Sequence, residues 1–165
     1  MPNNKTKKEA LRKKSLGELG ELFGIKALVD NFFERIVNLN DNKMNYPYAD
    51  LYAEKDGKRY VISIKARNKY TKNNTLNSRY KLGNNACEKA KAAEIEYQAK
   101  AHWMAIQFDE HTYSVFFGSL DELGLRNGIP IRECEDGRVG ICLVTDKRHY
   151  FDFSFFVNKK GKGVT

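Results

Sequence analysis

Asp50 and Lys65 flank a turn in the stretch YPYADLYAEKDGKRYVISIKAR, residues 46–67. The pair Asp56-Gly57, set between two runs rich in apolar and aromatic residues, is a strong hairpin signal. With those two residues as the loop, paired positions have a constant sum, which sets Asp50 opposite Ser63 and Tyr48 opposite Lys65. Side chains alternate faces along a strand. Asp50, Ser63, Lys65 and Arg67 therefore project from one side, and Ile62, Ile64 and Ala66 from the other, into a core. One rigid hairpin thus places a carboxylate able to hold a hard cation beside a lysine able to stabilise negative charge.

Other elements must hold that hairpin. Upstream, the pattern predicts a helix over 15–31: Ser15-Leu16-Gly17-Glu18 fits a capping box, and Leu16, Leu19, Phe23 and Ala27 form an apolar stripe. Gly17, Gly20 and Gly24 recur at helical spacing, each costing about 1 kcal/mol against alanine, which calls for close backbone approach to a strand or a phosphate. Glu21 shares their side of the helix. Phe32 to Val37 reads as a strand and Asn38 to Asn45 as a polar loop. Downstream, Asn84 or Asn85 starts a helix with the stripe Ala86, Ala90, Ala93, Tyr97 and Ala101, small enough to lie close on a sheet. His102 to Phe108 is nearly continuously apolar, as a strand covered on both faces must be, and Thr112 to Phe117 gives the next strand. A short helix begins at Ser119 and stops near Gly124. Val139 to Thr145 and His149 to Val157 read as two further strands with Asp146–Arg148 between them, the second alternating Phe151, Phe153, Phe155 and Val157 as an added sheet or dimer contact. The division expected is a basic N-terminal arm over 1–14, a single domain over 15–157 and a flexible basic tail over 158–165.

An aspartate on one strand followed by an x-x-Lys tripeptide on the next resembles the PD-(D/E)xK superfamily of restriction-endonuclease-like nucleases. Asp50 matches the first acid and Ser63-Ile64-Lys65 the second element. The sequence departs from the motif at Ala49, in place of the proline, and at Ser63, in place of the second acid. Helix, strand, hairpin, helix and strands follow in the superfamily's order over about residues 15–120. The resemblance implies an α/β fold with a mixed central sheet flanked by helices, extended here by C-terminal strands. It implies a Mg²⁺-dependent DNA endonuclease, restriction-like or Holliday-junction-resolving, with Mn²⁺ as an alternative metal. It also implies a metal-binding glutamate on the first helix. Glu21 is preferred over Glu18, which has a capping role. Metal ligands would be Glu21, Asp50 and the Ile64 carbonyl. Lys65 would face the water and the phosphate, and Ser63 would offer a neutral hydroxyl.

Composition is consistent with a nucleic-acid partner. The chain has 165 residues, a net charge of +8 and 41% hydrophobic residues, enough for one domain with a real core. Residues 65–100 carry nine Lys/Arg against three Glu. Within that stretch, residues 67–85 form a polar loop with interleaved tyrosines. Its candidate nucleic-acid contacts are Arg67, Lys69, Tyr70, Lys72, Arg79, Tyr80 and Lys81, the cations for phosphates and the tyrosines for bases or sugars. Cys87, Cys134 and Cys142 are odd in number and not spaced as metal pairs, which reads as free thiols in a reducing, cytoplasmic setting. No apolar run is long enough to span a membrane and no signal-peptide core is present. His102, His111 and His149 lie apart and form no triad signature. Cutting both strands of a duplex would require two active sites, which raises a homodimer. Two alternatives stay open: a nuclease-fold DNA-binding protein without activity, and a basic RNA-binding domain.

Overall fold

The computed structural model describes residues 4–41 and 46–149. Six strands form one mixed sheet in chain order: β1 (Glu34–Asn38), β2 (Leu51–Lys55), β3 (Lys58–Asn68), β4 (Lys100–Phe108), β5 (Thr112–Ser119) and β6 (Ile141–Arg148). Neighbours are antiparallel except β3 and β4, which run parallel and are joined through helix α2 (Ala86–Tyr97). Helix α1 (Asn4–Asp30) covers one face, while α2 and the short α3 (Ile131–Glu135) lie on the other. The architecture is the mixed α/β sheet flanked by helices that the element order implies.

The hairpin forms in the expected register. Leu51 pairs with Ile62 and Lys55 with Lys58, around Asp56 and Gly57 at φ 50° and 76°. Two consecutive positive φ values match the right-handed twist of the flanking strands, which is why Asp-Gly suits this turn. On the α1 face, Ile62, Ile64 and Ala66 of β3 join Met104, Ile106 and Phe108 of β4 and Phe23 and Ala27 of α1 in one core. Val61 and Ala101 pack instead with Ala90 and Ala93 of α2, and Trp103 and Ala105 with Tyr80 and Ile131. β4 is thus apolar on both faces because both faces are covered.

Several boundaries differ from the sequence pattern. Helix α1 starts at Asn4 rather than Ser15, so Ser15 lies inside the helix and the capping box does not form. Lys, Arg, Glu, Leu and Ala are good helix formers, and the Glu9–Arg12 ion pair at i,i+3 adds support at 2.6 Å. The first strand is Glu34–Asn38 rather than Phe32–Val37, since Phe32 adopts φ 66° at the helix exit. Ala101 belongs to β4: Gln98, at φ 50°, ends α2, and Ala101 then pairs with Val61. Asp146–Arg148 continues β6 rather than lying between two strands, and the short α3 has no counterpart in the sequence pattern. The strand expected over His149–Val157, beyond His149 itself, and the tail over 158–165 lie outside the described residues.

Candidate active site

Asp50 sits where the chain enters β2, just before the ladder begins. Its backbone is fixed from both sides: its N–H donates to the Ile62 carbonyl at 2.8 Å and its carbonyl accepts from Leu39 at 2.9 Å. Beyond Ile62 the edge of β3 is no longer paired with β2. There the Ile64 N–H donates to Asp50 Oδ2 at 2.7 Å. Tyr48 does not sit opposite Lys65. It takes φ 67°, and its hydroxyl donates to the His102 carbonyl at 2.7 Å, so the chain leaves the sheet plane before that register position.

Glu21 approaches the same point from α1. Gly20 and Gly24 let the helix settle onto β3. A Cβ at Gly20 would lie 2.5 Å from Ala66 Cβ, and one at Gly24 3.0 Å from Ile64 Cδ1. Gly17 has nothing within 4 Å of that position and has no such role.

Two asparagines at the end of β1 complete the arrangement. Asn40 Nδ2 donates to Glu21 Oε1 at 3.0 Å and to Asp50 Oδ1 at 3.3 Å, while Asn38 Nδ2 donates to Glu21 Oε2 at 3.3 Å. The Asn40 amide is oriented by the Tyr46 N–H, which donates to its Oδ1 at 3.3 Å. Two carboxylates from distant parts of the chain thus converge on one partly positive amide group. Sequence reasoning passed over Asn38 and Asn40 as ordinary loop polarity; nothing local distinguishes them before the strand places them under α1.

The electrostatics follow from crowding. Burial raises the Asp50 carboxyl above its ordinary range, opposed by the Ile64 N–H, the Asn40 amide and the Lys65 charge. Burial also raises Glu21, and the Asp50 charge adds to the effect against the Asn38 and Asn40 hydrogen bonds. Lys65 is lowered by burial, with Asp50 opposing and Arg67 adding to the decrease. Asp50 and Lys65 therefore feel one another directly. Ser63 is 1% exposed, its Cα paired with Trp103, and adds no charge.

A divalent cation suits this set. Mg²⁺ typically takes one or two carboxylates and keeps several waters. Glu21 and Asp50 present oxygens to a common point where an amide N–H₂ already stands in for positive charge. No group of three or more His, Cys, Asp or Glu able to hold a metal occurs among the described residues, so the donor set is two carboxylates.

The loop after β3 is ordered by its own bonds. Tyr70 bridges to Leu76, and Thr71 N–H donates to the Thr75 carbonyl at 2.8 Å. Lys72, Arg79 and Lys81 are exposed. Arg67 is half-buried and donates through Nε to the Arg79 carbonyl at 3.0 Å. Lys69 lies 5.7 Å from the centre of the Tyr70 ring. Tyr80 corrects the sequence expectation: it is 0% exposed, packed with Trp103 and Ile131, and has no face for a base. A tyrosine serves a core as readily as a binding surface, and composition does not separate the two uses.

No protein-family model and no curated protein matches the chain. Among solved structures it is similar to Hjc, a Holliday junction resolvase from the archaeal hyperthermophile Archaeoglobus fulgidus. The two share 16% identity over 74% of this chain and 89% of that one, with a TM-score of 0.49. All three cysteines are free, and no helix among the described residues is long and apolar enough to cross a membrane.

Proposed function

We propose that the chain is a metal-dependent endodeoxyribonuclease acting on duplex or branched DNA. The observation that carries this reading is the convergence of Glu21 and Asp50 on the Asn40 amide, beside Lys65 on the adjoining strand. Glu21 and Asp50 would hold Mg²⁺, or Mn²⁺ in its place. Residues two apart on a strand turn their backbone groups to the same side, so the Ile64 carbonyl, with its N–H on Asp50, is a candidate third oxygen. A cation there would polarise the scissile phosphate and lower the pKa of a bound water. Lys65, whose burial favours the neutral amine, can take a proton from that water or, when charged, meet the developing negative charge on the phosphate. Ser63 contributes a hydroxyl without charge. Two copies of the chain would be needed to cut both strands together.

Ser63 also favours a second reading, a nuclease-fold protein that binds DNA without cutting it, because the site has two carboxylates where the superfamily pattern has three. Incubation with plasmid and branched DNA in Mg²⁺, Mn²⁺ or EDTA separates the two. Cleavage in metal but not in EDTA is expected. Asp50→Ala and Lys65→Ala should each reduce it by a factor on the order of 10²–10⁴ while leaving DNA affinity largely intact. Binding without cleavage in any divalent metal gives the second reading.

A further inference from the structure

A cleft of about 830 Å³ lies away from the carboxylates, between the first half of α1 and the loop that leaves β3. Arg12 and Lys13 line it from the helix, and Arg67, Lys72 and Arg79 from the strand end and loop. Glu9 is the one acid among its lining residues, and Arg12 Nη2 donates to it at 2.6 Å. The charges of Lys72 and Lys13 also act on Glu9, so cations from both walls bear on one carboxylate. Asn68 lines the cleft as well.

We propose that this cleft is a second DNA site, which takes the sugar–phosphate backbone of the bound strand away from the cutting centre. This rests on the nuclease reading and deepens it. Five cations facing one acid select a polyanion. The remaining polar lining is hydroxyl and amide, from Thr71, Asn73, Thr75 and Asn77, with no aromatic ring. Such groups contact phosphates and sugars rather than stack on bases. Glu9 occupies the place of a phosphate in the free protein, holding Arg12 until the strand arrives. The distance is set by β3. Arg67 and Asn68 lie three and four residues beyond Ile64, about 10–13 Å at about 3.3 Å per residue, or three to four duplex steps of about 3.4 Å. The cleft would thus fix the register of the strand relative to Asp50 and Glu21.

The test uses the full chain in EDTA, so that binding is read without cutting. Affinity for a fluorescein-labelled DNA duplex is followed by anisotropy over a salt series. Arg12→Gln with Lys72→Gln should weaken binding at least tenfold and reduce the slope of log K against log salt by about two, one per lost phosphate contact. Glu9→Gln should act in the opposite direction and tighten binding. The charge-keeping pair Arg12→Lys with Lys72→Arg should retain affinity. The pair Lys58→Gln with Lys100→Gln, at the far end of β3 and β4, serves as the charge-matched control and should change the slope less. Circular dichroism checks that each variant is folded. The proposal is overturned if Arg12→Gln with Lys72→Gln keeps wild-type affinity and slope, or if the control pair loses as much. Loss of affinity in the cleft variants of a protein that never cuts would leave this site standing and remove the nuclease reading. Cleavage by a protein whose cleft variants bind normally would do the reverse.

Discussion

At the scale of single residues, the Asn40 amide lets two carboxylates share one point. It donates to both Glu21 and Asp50, and the Ile64 N–H takes the remaining Asp50 oxygen. These bonds do not cancel the cost of burial, which leaves both carboxyls above their ordinary range. A carboxyl whose folded-state pKa exceeds its unfolded value favours the folded state while protonated. Its contribution is present below the unfolded value and is lost as pH rises through the folded value. The metal-free protein should therefore lose part of its stability from this pair as pH rises from the ordinary carboxylate range. Glu9 and Asp30, held low by Arg12 and Lys26, act in the opposite direction, so the difference from a variant is the informative quantity. Asp50→Asn removes the charge and keeps a carbonyl oxygen for the Ile64 N–H. In EDTA, its stability relative to wild type should increase with pH across that window, as read from urea midpoints. A difference that stays flat with pH would show that Asp50 is not strained by its burial.

At the scale of elements, the contact of α1 with β3 determines whether Glu21 reaches the site. That contact depends on Gly20, where an added Cβ would meet the Ala66 methyl at 2.5 Å, and not on Gly17, which faces open space. Gly17→Ala should stabilise the protein by up to about 1 kcal/mol through helix propensity. Gly20→Ala gains the same propensity but must separate two packed elements, at a cost of about 1–3 kcal/mol. Thermal or urea unfolding of the two variants should give shifts of opposite sign; equal stabilisation would mean the helix does not sit this close. The three glycines look alike in the sequence, and only the helix's orientation on the sheet tells them apart. The hairpin was legible because its register is set locally by Asp56-Gly57. The direction of the Glu21 face was legible from helical spacing. The bridge through Asn38 and Asn40, the burial of Tyr80 and the Arg12–Lys72 cleft were not, because each depends on segments far apart in sequence meeting across the fold. The helical state of residues 4–14 was missed for another reason: a basic run reads as a solvated arm unless the alanine and leucine among the lysines are weighed for helix propensity.

At the scale of the whole molecule, the candidate site joins α1, the end of β1, the start of β2 and the middle of β3, so nothing resembling it survives unfolding. A cation that binds only the folded chain stabilises it by RT ln(1 + [L]/Kd), about 2.7 kcal/mol at a hundred times Kd. In a chain of this size each kcal/mol shifts Tm by about 2–4 °C, so near-saturating Mg²⁺ or Mn²⁺ should raise Tm by about 5–11 °C. The shift should grow as pH rises, because ligation requires both carboxyls deprotonated, the state that burial disfavours in the metal-free protein. Metal and pH should therefore compensate: what the pair loses in stability on ionising, the cation restores. Glu21→Gln and Asp50→Asn should each shrink the metal-induced shift. Glu18→Gln, exposed on the same helix and making none of the asparagine-bridge hydrogen bonds, should keep most of it. A wild-type Tm indifferent to both metals would leave Glu21 and Asp50 as two carboxylates bridged by the Asn40 amide and not a cation site. A shift lost in Glu18→Gln but kept in Glu21→Gln would make Glu18 the helix ligand in place of Glu21. Because this measurement needs no substrate, it tests the metal site even in a chain that only binds DNA.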